Sequence, residues 1–264
     1  MILRLQLLIL ALVLGSGCSQ QSQELSIPFV VEFKGNEITC GTLESGIVLS
    51  DLRFYVSAPQ VIGADGRKTD ISFVADGNWQ RADIALLDFE NGTQSCDNGT
   101  TELNTALRVH LPGGAHRGLI FTIGVPFEQN HKDPLLAQAP LDDSAMHWHW
   151  RAGYKFLRAG VGSPVDGFWI HLGSTGCEGT VQNISGCSSP NRVTVELSDF
   201  VPGKGAIVVD LSALTEGTDL GNQTPSDCSS GPAEEACAAP FAALGLETST
   251  GPGAQTVFNW REIK

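Results

Sequence analysis

The sequence lacks the short motifs that mark most hydrolases and cofactor-dependent enzymes. It has no GxSxG, HExxH, Walker or dinucleotide-binding motif, and no CxxCH site for covalent haem. Methionine is nearly absent and no cysteine is followed closely by a histidine, so the ligand set of a blue-copper protein is missing. These absences favour a binding protein over an enzyme, and we expect no catalytic turnover.

Basic residues are also scarce. The chain has 16 lysines and arginines against 29 aspartates and glutamates, which gives a net charge of −13. Because nucleic-acid binding needs a basic surface, this balance argues against a nucleic-acid partner.

Long apolar runs are confined to the N-terminus, where residues 5–14 follow Arg4 and lead through small residues to Cys18. Such a run is too short for a mature membrane span and is typical of a secretory signal. The small residues before Cys18 resemble a bacterial lipoprotein signal, in which that cysteine is lipidated. Ser19 directly after it favours the outer membrane as the destination.

The N-terminal pattern therefore divides the chain into three parts. We expect a lipoprotein-type signal over 1–18 that ends at lipidated Cys18, a flexible tether over 19–26, and one domain over 27–264. The domain would lie in the periplasm or at the cell surface of a Gram-negative bacterium, and would contact a membrane only through its lipid anchor.

Six cysteines follow Cys18, and an even number in an exported chain predicts disulfides. They are Cys40, Cys96, Cys177, Cys187, Cys228 and Cys237. Spacing suggests that Cys177 pairs with Cys187 and Cys228 with Cys237, which would leave Cys40 for Cys96. Six cysteines allow many other pairings, so spacing alone leaves the connectivity open.

Short strand-like runs recur between turns rich in glycine and proline. They lie at 27–33, 51–57, 83–89, 105–111, 118–125, 147–156, 167–172, 192–197, 206–211 and 256–260. No long stretch has the period of an amphipathic helix, although 236–246 could form one short helix that Pro240 limits. The pattern predicts an all-β, antiparallel β-sandwich with long loops that disulfides hold in place.

All six histidines lie between positions 110 and 171. In MHWHWRAGYKFLR, residues 146–158, two histidines alternate with two tryptophans. If this stretch is one strand, His147 and His149 share one face, and Trp148 and Trp150 the other. The histidine pair could hold a metal, because imidazole binds copper, zinc, iron and nickel.

The other histidines differ in their expected positions. His131 follows an apolar strand in a loop, and His171 precedes a glycine turn that Cys177 closes, so each is a candidate ligand. His110 and His116 flank the turn LPGGA and are expected to face solvent.

Several ordered motifs resemble one known family. The stretches FTIGVPFEQNHKDPL, MHWHWRAGYKFLR and GFWIHLGSTGC are similar to MbnP-type periplasmic copper-binding proteins. DLRFYVS, ALLDFENGTQSC and NGTTELNT fit the same family upstream, and the later cysteines fit its four-cysteine pattern. The resemblance runs from about Phe29 to the C-terminus.

This resemblance implies an all-β copper binder for copper acquisition, storage or delivery. Its ligands would be His131, His171 and a kynurenine made after translation from Trp148 or Trp150. His147 and His149 would be accessory to the copper. The family also implies a maturation partner, a di-haem enzyme that resembles cytochrome c peroxidase, because opening an indole ring needs an oxidising cofactor that side chains do not supply.

Two other interpretations remain open on the sequence. A metal-free β-sandwich could bind a ligand or a protein through an aromatic face formed by Trp148, Trp150, Trp169 and Tyr154. A metal-dependent hydrolase could combine the histidines with Asp142 or Asp143, although no known motif joins them.

Overall fold

The structure is a computed structural model that describes residues 22–44, 46–165, 167–181, 183–221, 227–231, 234–248 and 251–263. The predicted signal and the predicted lipidation site at Cys18 lie outside these residues. Among the described helices, none is long and apolar enough to cross a membrane.

Strands make up about half of the described chain, and we number them in chain order. They are β1 (Gln23–Phe33), β2 (Asn36–Glu37), β3 (Gly41–Glu44), β4 (Ile47–Gly63), β5 (Lys68–Asp70), β6 (Ser72–Phe73), β7 (Gln80–Arg81), β8 (Ile84–Asp88), β9 (Ala106–Leu111), β10 (His116–Ile123), β11 (His147–His149), β12 (Gly153–Gly162), β13 (Phe168–Gly173), β14 (Thr175–Thr180), β15 (Asn183–Ser189), β16 (Val193–Leu197), β17 (Gly205–Asp210), β18 (Glu247–Thr248), β19 (Gly251–Pro252) and β20 (Phe258–Glu262). Helices are short: α1 (Phe127–Asn130), α2 (Leu211–Leu214), α3 (Ala238–Ala243), and 3-10 turns at Pro134–Leu136 and Glu235–Cys237.

Two sheets carry most of these strands. The smaller sheet has the order β20-β17-β1-β9-β6, with β2 beside β1. The larger sheet has the order β11-β12-β4-β10-β16, and further strands pair with β12, β4 and β8. The hairpin β14–β15 pairs with neither large sheet, and β18–β19 also stands apart.

The two large sheets pack face to face around phenylalanines. Phe29 and Phe258 come from the smaller sheet, and Phe54 and Phe121 from the larger, with ring centroids 5.5–6.0 Å apart across the interface. All four are buried. Alternate residues of β1 face this core, as a period of two requires. The predicted all-β sandwich is therefore confirmed.

Three disulfides join the pairs that spacing suggested: Cys40–Cys96, Cys177–Cys187 and Cys228–Cys237. The first ties the start of β3 to the loop after β8. The second links directly opposed residues of β14 and β15. The third ties the long loop after α2 to the turn before α3.

The structure differs from the sequence prediction at four places. Residues 23–26, expected in the tether, begin β1 and pair with β9. β1 and β17 run parallel, whereas an antiparallel fold was expected. The hairpin β14–β15 was not predicted, because its glycines and serines give no apolar alternation. The predicted strand 147–156 is a hairpin of β11 and β12.

Candidate metal centre

The turn between β11 and β12 replaces the regular strand that the His–Trp alternation predicted. Gly153 has φ +81°, a conformation that L side chains rarely adopt. A Cβ there would lie 2.2 Å from the carbonyl oxygen of Asn130. Glycine is therefore required for the chain to reverse here and approach the end of α1.

Asn130 fixes this approach from the other side. It is buried, its Nδ2 donates to the carbonyl of Ala152 at 2.9 Å, and its Oδ1 accepts from the Tyr154 N–H at 2.9 Å. These two hydrogen bonds hold the end of α1 against the β11–β12 turn. The next residue in the chain is His131, so the same contacts position its ring.

The imidazole of His131 is partly buried, and its two nitrogens have different surroundings. Nε2 lies 3.2 Å from Asn130 Nδ2 and 3.6 Å from Cys187 Sγ. Nδ1 is buried and has no hydrogen-bond partner among the described residues. Burial lowers the pKa of His131, and the main chain of Trp150, which faces the ring, partly opposes that fall.

His171 lies on β13, opposite Arg158 of β12. Its ring is 6.1 Å from that of Trp148 and 5.8 Å from that of Trp169, measured between centroids. Nε2 is buried without a hydrogen-bond partner among the described residues. Burial, with the charges of Lys155 and Arg158, lowers the pKa of His171 to about 4. At neutral pH this imidazole is therefore uncharged.

Gly173 makes room for Trp148. A Cβ on Gly173 would lie 3.2 and 3.3 Å from Trp148 Cε3 and Cζ3, and 2.8 Å from the carbonyl oxygen of Tyr154. The absent side chain lets the indole lie against β13, next to His171.

Trp150 contributes its main chain, and not its indole, to the surroundings of His131. That main chain faces the ring of His131, while the guanidinium of Arg151 covers the Trp150 indole at 4.9 Å. The segment from Trp148 to Trp150 thus places an indole ring beside His171 and a peptide group beside His131.

The remaining histidines have other main contacts, although the ring of His149 also lies 6.0 Å from that of Trp148, measured between centroids. His147 packs against Tyr154 with ring centroids 5.3 Å apart, and burial lowers its pKa. His149 is exposed, and its Nδ1 accepts from the Ala152 N–H at 3.4 Å. His116 Nε2 contacts the Pro112 carbonyl at 2.8 Å, and His110 lies on β9; both are partly buried, not fully solvent-facing as expected.

Comparison with known proteins identifies the family of this chain. The family model described as MbnP matches residues 22–230. The chain belongs to the MbnP family. Among solved structures, MbnP from Methylosinus trichosporium has the same fold, with a TM-score of 0.78 and 27% sequence identity over 92% of this chain and 99% of that chain. Comparison with curated proteins gives no match.

The part of the chain that matches the MbnP family contains His131, Trp148, Trp150 and His171. His131 and His171 each bury an unpartnered ring nitrogen, and imidazole nitrogen is a donor that suits copper. The residues present therefore fit the metal that the resemblance implied. Cysteine does not complete this set, because Cys177 and Cys187 are bonded to each other.

The two other interpretations fit the geometry less well. Tyr154 is buried and donates from its hydroxyl to the Leu141 carbonyl at 2.7 Å, so it is not part of an exposed aromatic face. Asp143 lies 3.4 Å from the guanidinium of Arg53 and accepts from the Ala145 N–H. Its carboxylate is thus engaged with an arginine and not with a histidine.

Sequence reasoning missed the residues that shape the site: Asn130, Gly153, Gly173 and Cys187. Signals for three of them were present in the MbnP motifs, since Asn130 precedes His131 in EQNH, Gly153 lies in MHWHWRAGYKFLR, and Gly173 follows His171 in HLGSTG. Nothing in the sequence placed Cys187 beside His131, because that contact joins a loop to an unpredicted hairpin.

Proposed function

We propose that this protein is an exported copper-binding protein, without turnover of its own, that acts in copper acquisition, storage or delivery. Its ligands are His131, His171 and a kynurenine formed from Trp148. One observation carries the proposal: His131 and His171 each bury a ring nitrogen that has no hydrogen-bond partner within the described residues.

Other observations support the proposal. Membership of the MbnP family supports a copper-associated role. Three disulfides are consistent with an oxidising compartment outside the cytoplasm. We further propose that Cys18 is lipidated and that this lipid attaches the protein to the outer membrane.

Trp148 is the better precursor of the two tryptophans. Its indole touches the ring of His171, so a carbonyl and an amine formed from that indole would lie beside the imidazole. The indole of Trp150 is instead stacked under Arg151, and only its peptide group faces His131.

The conversion requires an oxidant from outside the chain, and we propose a di-haem partner that resembles cytochrome c peroxidase. The protein would be a substrate of that partner once and a copper binder afterwards. Copper, when bound, is the cargo; the protein binds it, orients the two imidazoles and excludes water from them.

The first test measures copper on the mature protein produced with and without the di-haem partner. We expect one copper per chain for the mature form. His131→Ala and His171→Ala should each weaken copper binding by at least about tenfold, since loss of even a supporting residue costs a metal site that much. His110→Ala, on β9 of the smaller sheet, is the control and should bind normally.

The second test locates the modified residue by mass spectrometry. Trypsin releases residues 133–151 as one peptide, which should gain about 4 Da when one indole becomes kynurenine. Fragment ions that contain Trp150 but not Trp148 should keep their unmodified mass. Modification of Trp150 would reassign the third ligand, and full copper binding by both histidine variants would contradict the site and favour the metal-free binding module.

A further inference from the structure

The hairpin β14–β15 is a separate two-stranded element beside the candidate site. Its disulfide joins Cys177 and Cys187, which are directly opposite each other in the ladder. Because this hairpin pairs with neither large sheet, a change in its crosslink leaves the core of the sandwich in place.

His131 turns one nitrogen toward this disulfide. Its Nε2 lies 3.6 Å from Cys187 Sγ, and the ligand atoms of His131, Cys177 and Cys187 all lie within 4.8 Å of one another. Spacings of this size are close to those between ligands that share one metal ion. In the oxidised protein the two sulfurs are bonded to each other, so they are not thiolates and do not hold a metal.

This disulfide is also the most accessible of the three. Cys187 is partly exposed, whereas Cys40, Cys96, Cys228 and Cys237 are all buried. Thiol–disulfide exchange begins with attack of a thiolate on a reachable sulfur. A dithiol therefore reaches Cys187 Sγ before it reaches any other sulfur of the three disulfides.

We propose that reduction of the Cys177–Cys187 disulfide creates a second metal site, formed by His131 Nε2 and the two cysteine sulfurs. The reductant is a protein dithiol: its two thiols pass two electrons and two protons to the disulfide, and it becomes a disulfide itself. Metal binding then releases both thiol protons to solvent. Two thiolates and one imidazole select a thiophilic d¹⁰ cation, Cu⁺ or Zn²⁺, and leave a fourth position for water.

The two sites share His131. In the oxidised protein, His131 Nδ1 is available to the copper site that includes His171. In the reduced protein, His131 Nε2 would bind the metal held by the sulfurs of Cys177 and Cys187. Reduction would thus weaken copper binding between His131 and His171, a consequence that rests on the proposed function. The existence of the second site does not rest on it.

The experiment uses the full mature protein without copper and Co²⁺ alone as the probe. A phosphine is titrated in, and alkylation with mass spectrometry identifies which cysteines become free at each step. We expect Cys177 and Cys187 to be labelled first, and one Co²⁺ per chain to bind with a thiolate-to-cobalt charge-transfer band that Zn²⁺ abolishes. The oxidised protein should show no such band.

Variants separate this site from the first one. Cys187→Ser should abolish the band, and His131→Ala should weaken Co²⁺ binding by about tenfold or more. His131→Gln repeats the test with less change in volume, should the alanine variant fold poorly. His171→Ala should leave the band unchanged while it impairs copper binding by the oxidised protein, so the two proposals fail independently. The paired change Cys228→Ser and Cys237→Ser should also leave the band intact.

Three results would overturn the inference. Labelling of Cys40, Cys96, Cys228 or Cys237 before Cys187 would show that another disulfide is the reducible one. A reduced protein without the cobalt band would show that no site forms. An unchanged affinity in both His131 variants would remove the histidine from the site.

Discussion

The rings of Trp148 and His171 meet in a T-shaped arrangement, with ring centroids 6.1 Å apart and ring planes 71° apart. The two residues are on β11 and β13, and both of these strands pair with β12. Their contact therefore depends on how β12 aligns its two partners, and on the space that Gly173 leaves.

Gly173→Ala should separate these two rings. The new Cβ would contact the Trp148 indole and the Tyr154 carbonyl, so the indole must move away from His171. We expect a changed tryptophan fluorescence spectrum, a lower free energy of unfolding and weaker copper binding. Gly186→Ala is the matched control, since a Cβ there meets nothing within 4 Å. Equal behaviour of the two variants would contradict the role given to Gly173.

Asn130→Ala should destabilise the protein and loosen His131. The substitution leaves the Ala152 carbonyl and the Tyr154 N–H unpaired in a buried place. Because each such group costs about 1–3 kcal/mol, we expect the free energy of unfolding in urea to fall by roughly 2 kcal/mol or more. The exposed Asn78→Ala should change it by less than about 0.5 kcal/mol. A neutral result for Asn130→Ala would show that the α1 end is held by other contacts.

Asp88 should make the protein more stable as pH falls from about 7 toward 4. Burial raises the pKa of Asp88 from 3.8 to about 7, against the opposing charge of Arg53. In that interval the folded state binds a proton that the unfolded state lacks, so acidification favours folding. At pH 8 the ionised group costs the folded state at most about 4 kcal/mol, as one pKa unit is about 1.4 kcal/mol.

Asp88→Asn isolates this contribution. The variant should gain stability relative to the native protein at pH 8, and the gain should shrink toward pH 4. Denaturation curves across this range measure it, with the exposed Asp199→Asn as the control for loss of one negative charge. A gain that does not vary with pH would contradict the raised pKa.

His171 should act in the opposite sense in the metal-free protein. Its pKa is lowered from 6.5 to about 4, so between these values the unfolded chain binds a proton that the folded chain lacks. Stability contributed by neutral His171 is therefore lost as pH falls through this interval. His171→Gln should flatten that part of the pH profile, whereas the exposed His149→Gln should not. A native profile that is flat between pH 6.5 and 4 after correction for Asp88 would argue against a buried neutral imidazole.

Sequence periodicity predicted the sandwich because its core strands bury alternate residues, as Ile27, Phe29 and Val31 do in β1. It failed at 147–156, where the turn depends on contact between Gly153 and Asn130, far away in the chain. The same limit applies to the site. The MbnP motifs indicated His131 and His171, but the preference for Trp148 and the contact between His131 and Cys187 come from tertiary packing that no local pattern encodes.

The parallel pairing of β1 with β17 has a consequence for the order of folding. Phe29 lies opposite Ile207, so the first strand of the smaller sheet completes its hydrogen bonds only with residues near the other end of the chain. Contacts of such long sequence separation fold slowly, because the loop between them must close before they form. The smaller sheet therefore cannot be completed until β17 has been synthesised.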